Sequence, residues 1–187
     1  MALFTKLSPK PKHAASGCCL LLDVSGSMGI TVPSEEPGIE PRRIDLLFKA
    51  VKETPECAGL RAYAFSTRCQ MLEVIPADDY EPHGGTDLAL AFDTVKNAGF
   101  FHAILVTDGE PDSPAAALQA ALGMKLGIIY IGNPPVPSFL EDLAKATDGT
   151  FAIADMRSIA QLEEALIKAL PAPDSDEHLD GGEVIKL

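Results

Sequence analysis

Residues 18–29, CCLLLDVSGSMG, are the most informative stretch of this chain because an apolar run ends there abruptly in polar residues. Residues 18–22 are short, apolar and bounded by turn residues, which is typical of a strand buried in a parallel sheet. Asp23, Ser25 and Ser27 follow this run directly. The pattern therefore predicts a carboxylate and two hydroxyl groups in a small volume at the end of a buried strand.

The rest of the sequence alternates between extended runs and helical patterns of about 10 to 15 residues, which is typical of a parallel sheet covered by helices. Two of the extended runs have only a tight connection between them and predict an antiparallel pair at a sheet edge. The predicted fold class is α/β, with a doubly wound, mostly parallel central sheet, helices on both faces and one antiparallel edge strand. The later extended runs are 60–67, 69–75, 102–107, 125–132 and 150–154, and the helical patterns lie in 44–51, 84–99, 113–124, 137–149 and 157–170.

A second strand also ends in a carboxylate, at Asp108 in the sequence VTDGEP. The sequence GGTDL places Thr86 just before a helix that is expected to begin at the same edge of the sheet. Because the carboxyl ends of parallel strands share one edge, we expect these segments to meet near Asp23. They bring three hydroxyls and two carboxylates, with no histidine and no thiol, and this inventory suits a small hard cation such as Mg²⁺.

In order and context these three motifs resemble the metal-ion-dependent adhesion site (MIDAS) of von Willebrand factor type A (vWA) domains, whose Rossmann-like fold matches the predicted class. The resemblance covers roughly residues 16–170 in element order. It implies that Ser25 and Ser27 bind the metal directly and that Thr86 does so in a ligand-competent state. It further implies that Asp23 and Asp108 hold waters and orient the serine hydroxyls. Neutral hydroxyls leave the charge of the cation partly uncompensated, so the metal should attract a carboxylate from a partner.

Simpler interpretations exist for several of these residues. Asp23, Ser25 and Ser27 are ordinary turn residues, and Thr86 is a suitable helix N-cap, a role that is compatible with metal binding. Asp87 is expected to be a first-turn charge that the helix dipole favours. The remaining charged residues near these motifs are expected to be solvated; they are Arg42, Arg43, Glu110 and Asp112.

Composition limits the class of partner. The 187 residues carry a formal charge of −12, which would repel the phosphates of nucleic acids and anionic membranes. The four cysteines have neither zinc-site nor redox-motif spacing, and we expect reduced core thiols in a cytoplasmic protein. No segment has the apolar length of a membrane span. We expect a flexible basic arm at 1–15, a vWA domain at 16–170 and a flexible acidic tail at 171–187.

The predicted function is an intracellular interaction module that binds a partner Asp or Glu through Mg²⁺, or Mn²⁺, and has no catalytic residues. The resemblance implies an AAA+ ATPase or another intracellular complex as partner. One alternative is a Mg²⁺-dependent phosphohydrolase, although the segment after the first strand has Ser25 in place of the second aspartate of a DxD nucleophile, and the chain has no phosphate-binding P-loop. Another is a homo-oligomer in which one copy grips a carboxylate of the next.

The long loop at residues 30–43 supports a separate hypothesis. It contains Glu35, Glu36 and Glu40, and one of these would reach the metal in cis and block it until a partner displaces the loop. The hypothesis fails if replacing all three by Gln leaves the affinity for a partner unchanged.

Overall fold

The computed structural model describes residues 17–33, 38, 40–76 and 80–171. The predicted arm at 1–15 and almost all of the predicted tail at 171–187 lie outside these residues. The strands are β1 (Cys18–Asp23), β2 (Arg61–Phe65), β3 (Cys69–Leu72), β4 (His102–Thr107), β5 (Lys125–Tyr130) and β6 (Thr150–Ile153). The helices are α1 (Arg43–Glu53), α2 (Leu88–Asn97), α3 (Pro114–Ala121), α4 (Ser138–Ala146) and α5 (Ile159–Ala169), with short 3₁₀ turns at Gly26–Gly29 and Pro55–Cys57.

The six strands form one sheet in the order β3-β2-β1-β4-β5-β6. All neighbours are parallel except β2 and β3, whose antiparallel pairing places β3 at an edge. Leu21 in the centre of β1 is in register with Tyr63 of β2 and Leu105 of β4. The predicted fold class, including the antiparallel edge strand, is confirmed.

Helices cover both faces of the sheet because the central strands are apolar on both sides. Leu20 and Leu22 of β1 belong to the core on the face of α1 and α5, whereas Cys19 and Leu21 belong to the core on the face of α2, α3 and α4. Every residue of β1 is buried. Successive side chains of a strand point to opposite faces, so a continuous apolar run is what a doubly covered strand requires.

The order of the strands creates a crevice beside β1. The connection after β1 leads to α1 on one face, and the connection after the neighbouring strand β4 leads to α3 on the other face. Two loops that diverge in this way leave an opening at the carboxyl ends of their strands, and ligands of open α/β sheets bind there. Asp23 ends β1, and Asp108 follows the last residue of β4. The topology thus places both carboxylates at this opening.

Candidate metal centre

Asp23 is fixed in place by two hydrogen bonds at the end of β1. It is 0% exposed, its Oδ1 accepts a hydrogen bond of 2.8 Å from the backbone N–H of Ser25, and its Oδ2 accepts one of 2.6 Å from the hydroxyl of Thr107. One donor comes from the loop that follows β1 and the other from the neighbouring strand. Because both oxygens are engaged, the carboxylate is held in a single orientation before any ligand arrives.

Burial also changes the acidity of this carboxyl. Desolvation raises the pKa of Asp23 from 3.8 to about 6, while the hydrogen bonds from Thr107 and Ser25 lower it and the nearby charge of Asp108 raises it. The charged form of Asp23 is therefore costly in the folded protein. A cation near the carboxylate would reduce this cost.

Ser25, whose backbone N–H is bonded to Asp23, and Ser27 connect Asp23 to Asp108. Ser25 Oγ lies 3.2 Å from Ser27 Oγ, and Ser27 donates a hydrogen bond of 2.6 Å to Asp108 Oδ1. Ser25 is buried whereas Ser27 is exposed, so the connection between the two buried carboxylates reaches solvent at Ser27. We refer to Asp23, Ser25, Ser27, Thr107 and Asp108 as the polar cluster.

Thr86 lies on a loop that is tied to both other segments through the backbone. Gly84 O accepts a hydrogen bond of 3.0 Å from Gly26 N, and Thr86 O accepts one of 3.0 Å from Asp112 N. Thr86 is 7% exposed. The predicted N-cap role of Thr86 is wrong, as is the first-turn position of Asp87. Asp87 is itself the N-cap of α2, and its side chain accepts a hydrogen bond from Leu90 N.

The prediction that Arg43 is solvated is wrong. It is the first residue of α1, it is 4% exposed, and its Nη1 lies 2.5 Å from Asp108 Oδ2. Within the described part of the chain, Arg43 Nε is the one buried side-chain N or O atom that has no hydrogen-bond partner. Arg42, in contrast, is partly exposed and pairs with Asp45 on the first turn of α1. The site therefore contains a buried, positively charged side chain that the sequence analysis did not predict.

Among the predicted site residues, Asp23, Ser25, Ser27 and Asp108 share one hydrogen-bonded cluster, and Thr86 adjoins it through its loop. The described residues contain no group of three or more His, Cys, Asp or Glu side chains of the kind that holds a metal through those residues alone. The donors here are instead hydroxyl and carboxylate oxygens. This set fits a hard divalent cation that retains water ligands, as Mg²⁺ does.

The other predicted polar residues lie at the rim or elsewhere. Glu110 and Asp112 are exposed, as expected, although Asp112 also borders the Thr86 loop, since a Cβ on Gly85 would come within 2.5 Å of its Oδ2. Glu40 is exposed. Glu35 and Glu36 lie outside the described residues, so the hypothesis of an inhibitory loop stays a hypothesis.

Two residues of the site, Thr107 and Arg43, were not predicted as part of it from the sequence, although the position of each in the sequence indicates that it lies near the site. Thr107 directly precedes Asp108 and, as the last residue of β4, is close to the end of the neighbouring strand β1. Arg43 is four residues before Leu47, so it extends the buried stripe of α1 by one turn. Arg42 does not share this position. Helical spacing therefore indicates which of the two arginines is buried, but it does not indicate that Arg43 contacts Asp108.

Three solved structures share the architecture. The D319A mutant of the PilB minor pilin from Streptococcus sanguinis has a TM-score of 0.57 and 13% identity, covering 81% of this chain and 59% of that chain. The von Willebrand factor type A protein from Catenulispora acidiphila has a TM-score of 0.52 and 21% identity, covering 81% and 41%. The SpRpn10 VWA domain has a TM-score of 0.51 and 13% identity, covering 81% and 93%.

These comparisons establish the fold. The six-stranded, mostly parallel sheet with one antiparallel edge strand is the Rossmann-like fold of vWA domains. This chain spans less than two thirds of the pilin and of the Catenulispora protein. No protein-family model and no curated protein matches the sequence. None of the helices in the described ranges is long and apolar enough to cross a membrane.

Proposed function

We propose that this chain is a protein-interaction module that engages a carboxylate of its partner through a divalent cation. Mg²⁺ is the proposed cation and Mn²⁺ the second choice, because both prefer oxygen ligands. Asp23, Ser25, Ser27, Thr86 and Asp108 would hold it. The proposed partner presents an Asp or Glu side chain; an AAA+ ATPase or another intracellular complex stays the predicted partner class.

The observation that carries the proposal is the hydrogen-bonded connection from Asp23 through Ser25 and Ser27 to Asp108. It joins the ends of two neighbouring strands at the crevice where ligands of this fold class bind. Both of its ends, Asp23 and Asp108, are buried, and Ser27 between them is exposed. A buried and already oriented set of oxygens that opens to solvent supports a site for a cation and an external ligand.

In the proposed site each residue type has a distinct task. The hydroxyls of Ser25, Ser27 and Thr86 would contact the cation and carry no charge of their own. Asp108 accepts a hydrogen bond from the Ser27 hydroxyl, Asp23 accepts one from the Ser25 backbone N–H, and both carboxylates would attract the cation. When bound, Mg²⁺ would supply a positive centre for a carboxylate oxygen. The chain as a whole carries a charge of −12 and repels acidic ligands at longer range, so carboxylate binding should depend strongly on the cation.

The test is retention of the protein on a resin that displays glutamate, compared with a resin that displays glutamine. We expect retention on the glutamate resin in MgCl₂, release by EDTA, and no retention of Asp108→Ala. Asp93→Ala is the matched control, because the Asp93 side chain is 60% exposed on α2, and it should behave like the wild type. Equal retention on both resins would contradict the proposal. So would hydrolysis of p-nitrophenyl phosphate that is lost in Asp23→Asn, since it would indicate a phosphohydrolase.

A further inference from the structure

Arg43 is the least expected component of the site. Its guanidinium is buried, its one ion pair is with the fully buried side chain of Asp108, and its Nε lacks a hydrogen-bond partner among the described residues. A buried charge with an incomplete set of partners is costly to fold. Arg42, one residue earlier, shows that a surface pair with Asp45 is available at the start of the same helix. The burial of Arg43 is therefore not a general feature of this helix end.

The position of Arg43 changes the charge of the site. Asp23 and Asp108 contribute two negative charges when ionised, and Arg43 contributes one positive charge directly against Asp108 Oδ2. A divalent cation brought into this cluster would be attracted by the carboxylates and repelled by the guanidinium. Repulsion between unit charges remains substantial at the effective dielectric constant of about 20 that suits protein sites. With Arg43 present, the loaded site has one net positive charge; with a neutral residue there, the loaded site is neutral.

We infer, on the basis of the proposed function, that the positive charge of Arg43 adjusts the affinities of this site. It lowers the affinity of the site for the divalent cation, and it raises the affinity of the loaded site for a carboxylate ligand. Arg43 is a positioning residue that acts through Asp108, since its buried guanidinium contacts that carboxylate. The consequence is a site that favours the cation and the acidic ligand together over the cation alone.

The inference predicts opposite changes in two affinities, which loss of structure would not produce. Arg43→Met should bind Mg²⁺ about tenfold more tightly than the wild type, and its Mg²⁺-saturated form should bind acetate about tenfold more weakly. General damage to the site would weaken both. Arg43→Lys keeps the charge and should resemble the wild type in both titrations. The matched control Arg42→Met removes the same charge from a residue whose side chain is 22% exposed, and each of its affinities should stay within about twofold of wild type.

The experiment is calorimetric titration of the full chain with MgCl₂, followed by titration of the Mg²⁺-saturated protein with sodium acetate and, as a neutral comparison, acetamide. Tighter Mg²⁺ binding and weaker acetate binding in Arg43→Met, with acetamide unaffected, would support the inference. If Arg43→Met does not fold, Arg43→Lys decides alone, because a Lys variant that differs from the wild type by tenfold in either affinity would overturn a role based on charge.

Failure of the inference differs from failure of the proposed function. If the wild type binds Mg²⁺ and Arg43→Met changes both affinities in the same direction or neither, Arg43 does not tune the site and the proposed function stands. If neither the wild type nor any Arg43 variant binds Mg²⁺, with or without acetate, the proposed function fails and the inference fails with it.

Discussion

The hydroxyl of Thr107 donates a 2.6 Å hydrogen bond to Asp23 Oδ2 and so joins the last residues of two neighbouring parallel strands. Both residues are 0% exposed. The bond fixes the carboxylate on which the rest of the polar cluster depends, because the other oxygen of Asp23 is held by the loop containing Ser25. The geometry of the proposed site is thus anchored at the ends of two neighbouring strands.

Replacing Thr107 by Val should destabilise the protein, because a buried carboxylate loses a donor while the side chain keeps its shape. A hydrogen bond to a charged group contributes about 1.5–3 kcal/mol, so we expect a loss of that size in the free energy of unfolding. Thr147→Val is the control: Thr147 is also buried, but its hydroxyl bonds to the backbone oxygens of Leu143 and Ala144. That loss should be about 0.5–1.5 kcal/mol. Urea unfolding measures both, and a smaller loss for Thr107→Val would contradict the account.

The stability of the metal-free protein should depend on pH through Asp23. Burial raises the pKa of this carboxyl from 3.8 to about 6, so between these values the folded state binds more protons than the unfolded state. The stability that the protonated form contributes is complete below about pH 3.8 and is lost as the pH rises through 6. A rise in pKa of this size corresponds to about 3 kcal/mol.

Asp23→Asn should remove this dependence, because the amide stays neutral at every pH. In EDTA we expect the variant to gain up to about 3 kcal/mol over the wild type as the pH is raised from 4 to 7, measured by urea unfolding at each pH. Asp93→Asn, on the exposed surface of α2, should show the same dependence of the free energy of unfolding on pH as the wild type. A difference between Asp23→Asn and the wild type that stays constant across this range would refute the assigned cause.

The backbone beside the polar cluster should tolerate a methyl group at Gly26 and not at Gly84, which lies on the loop that carries Thr86. Gly84 has a φ of +78°, and a Cβ there would lie 2.9 Å from Thr67 Oγ1. Gly84→Ala should therefore cost about 1 kcal/mol or more and displace the loop. Gly26, whose N–H is bonded to Gly84 O, offers the comparison, since its Cβ would make an ordinary contact of 3.5 Å.

Thermal unfolding and Mg²⁺ titration of both glycine variants would check this prediction. Gly84→Ala should lower Tm and weaken Mg²⁺ binding. Gly26→Ala should have a smaller effect on both Tm and Mg²⁺ affinity. Equal effects at the two positions would show that the conformation at Gly84 does not govern the placement of Thr86.

The sequence predicted the fold and four of the five residues of the polar cluster, all except Thr107, for a physical reason. A strand buried on both faces must be apolar throughout, so the abrupt change at Asp23 marks the strand end. The carboxyl ends of parallel strands share one edge, which brings Asp108 to the same place. Both features, the continuous apolar run of a strand and the order of strands along the chain, can be seen in the amino-acid sequence itself.

The roles of individual polar residues were harder to predict because they depend on competition between neighbours. Thr86 and Asp87 are both good N-caps, and the backbone geometry at the start of α2 selects Asp87. Arg42 and Arg43 are chemically the same, but only Arg43 faces Asp108, which lies 65 residues later in the chain. Contacts across such a separation follow from the tertiary packing of α1 against the sheet, and local propensity does not contain them.

Calorimetric titration of metal-free protein with MgCl₂, beside the Asp23→Ala, Ser25→Ala double variant, measures whether the polar cluster binds a divalent cation. We expect saturable binding at one site in the wild type, no such binding in the double variant, and a similar result with MnCl₂. Circular dichroism spectra of the two proteins serve as the control for folding. Absence of saturable binding to the wild type, even with excess acetate to supply a carboxylate, or equal binding to the double variant, would contradict the account.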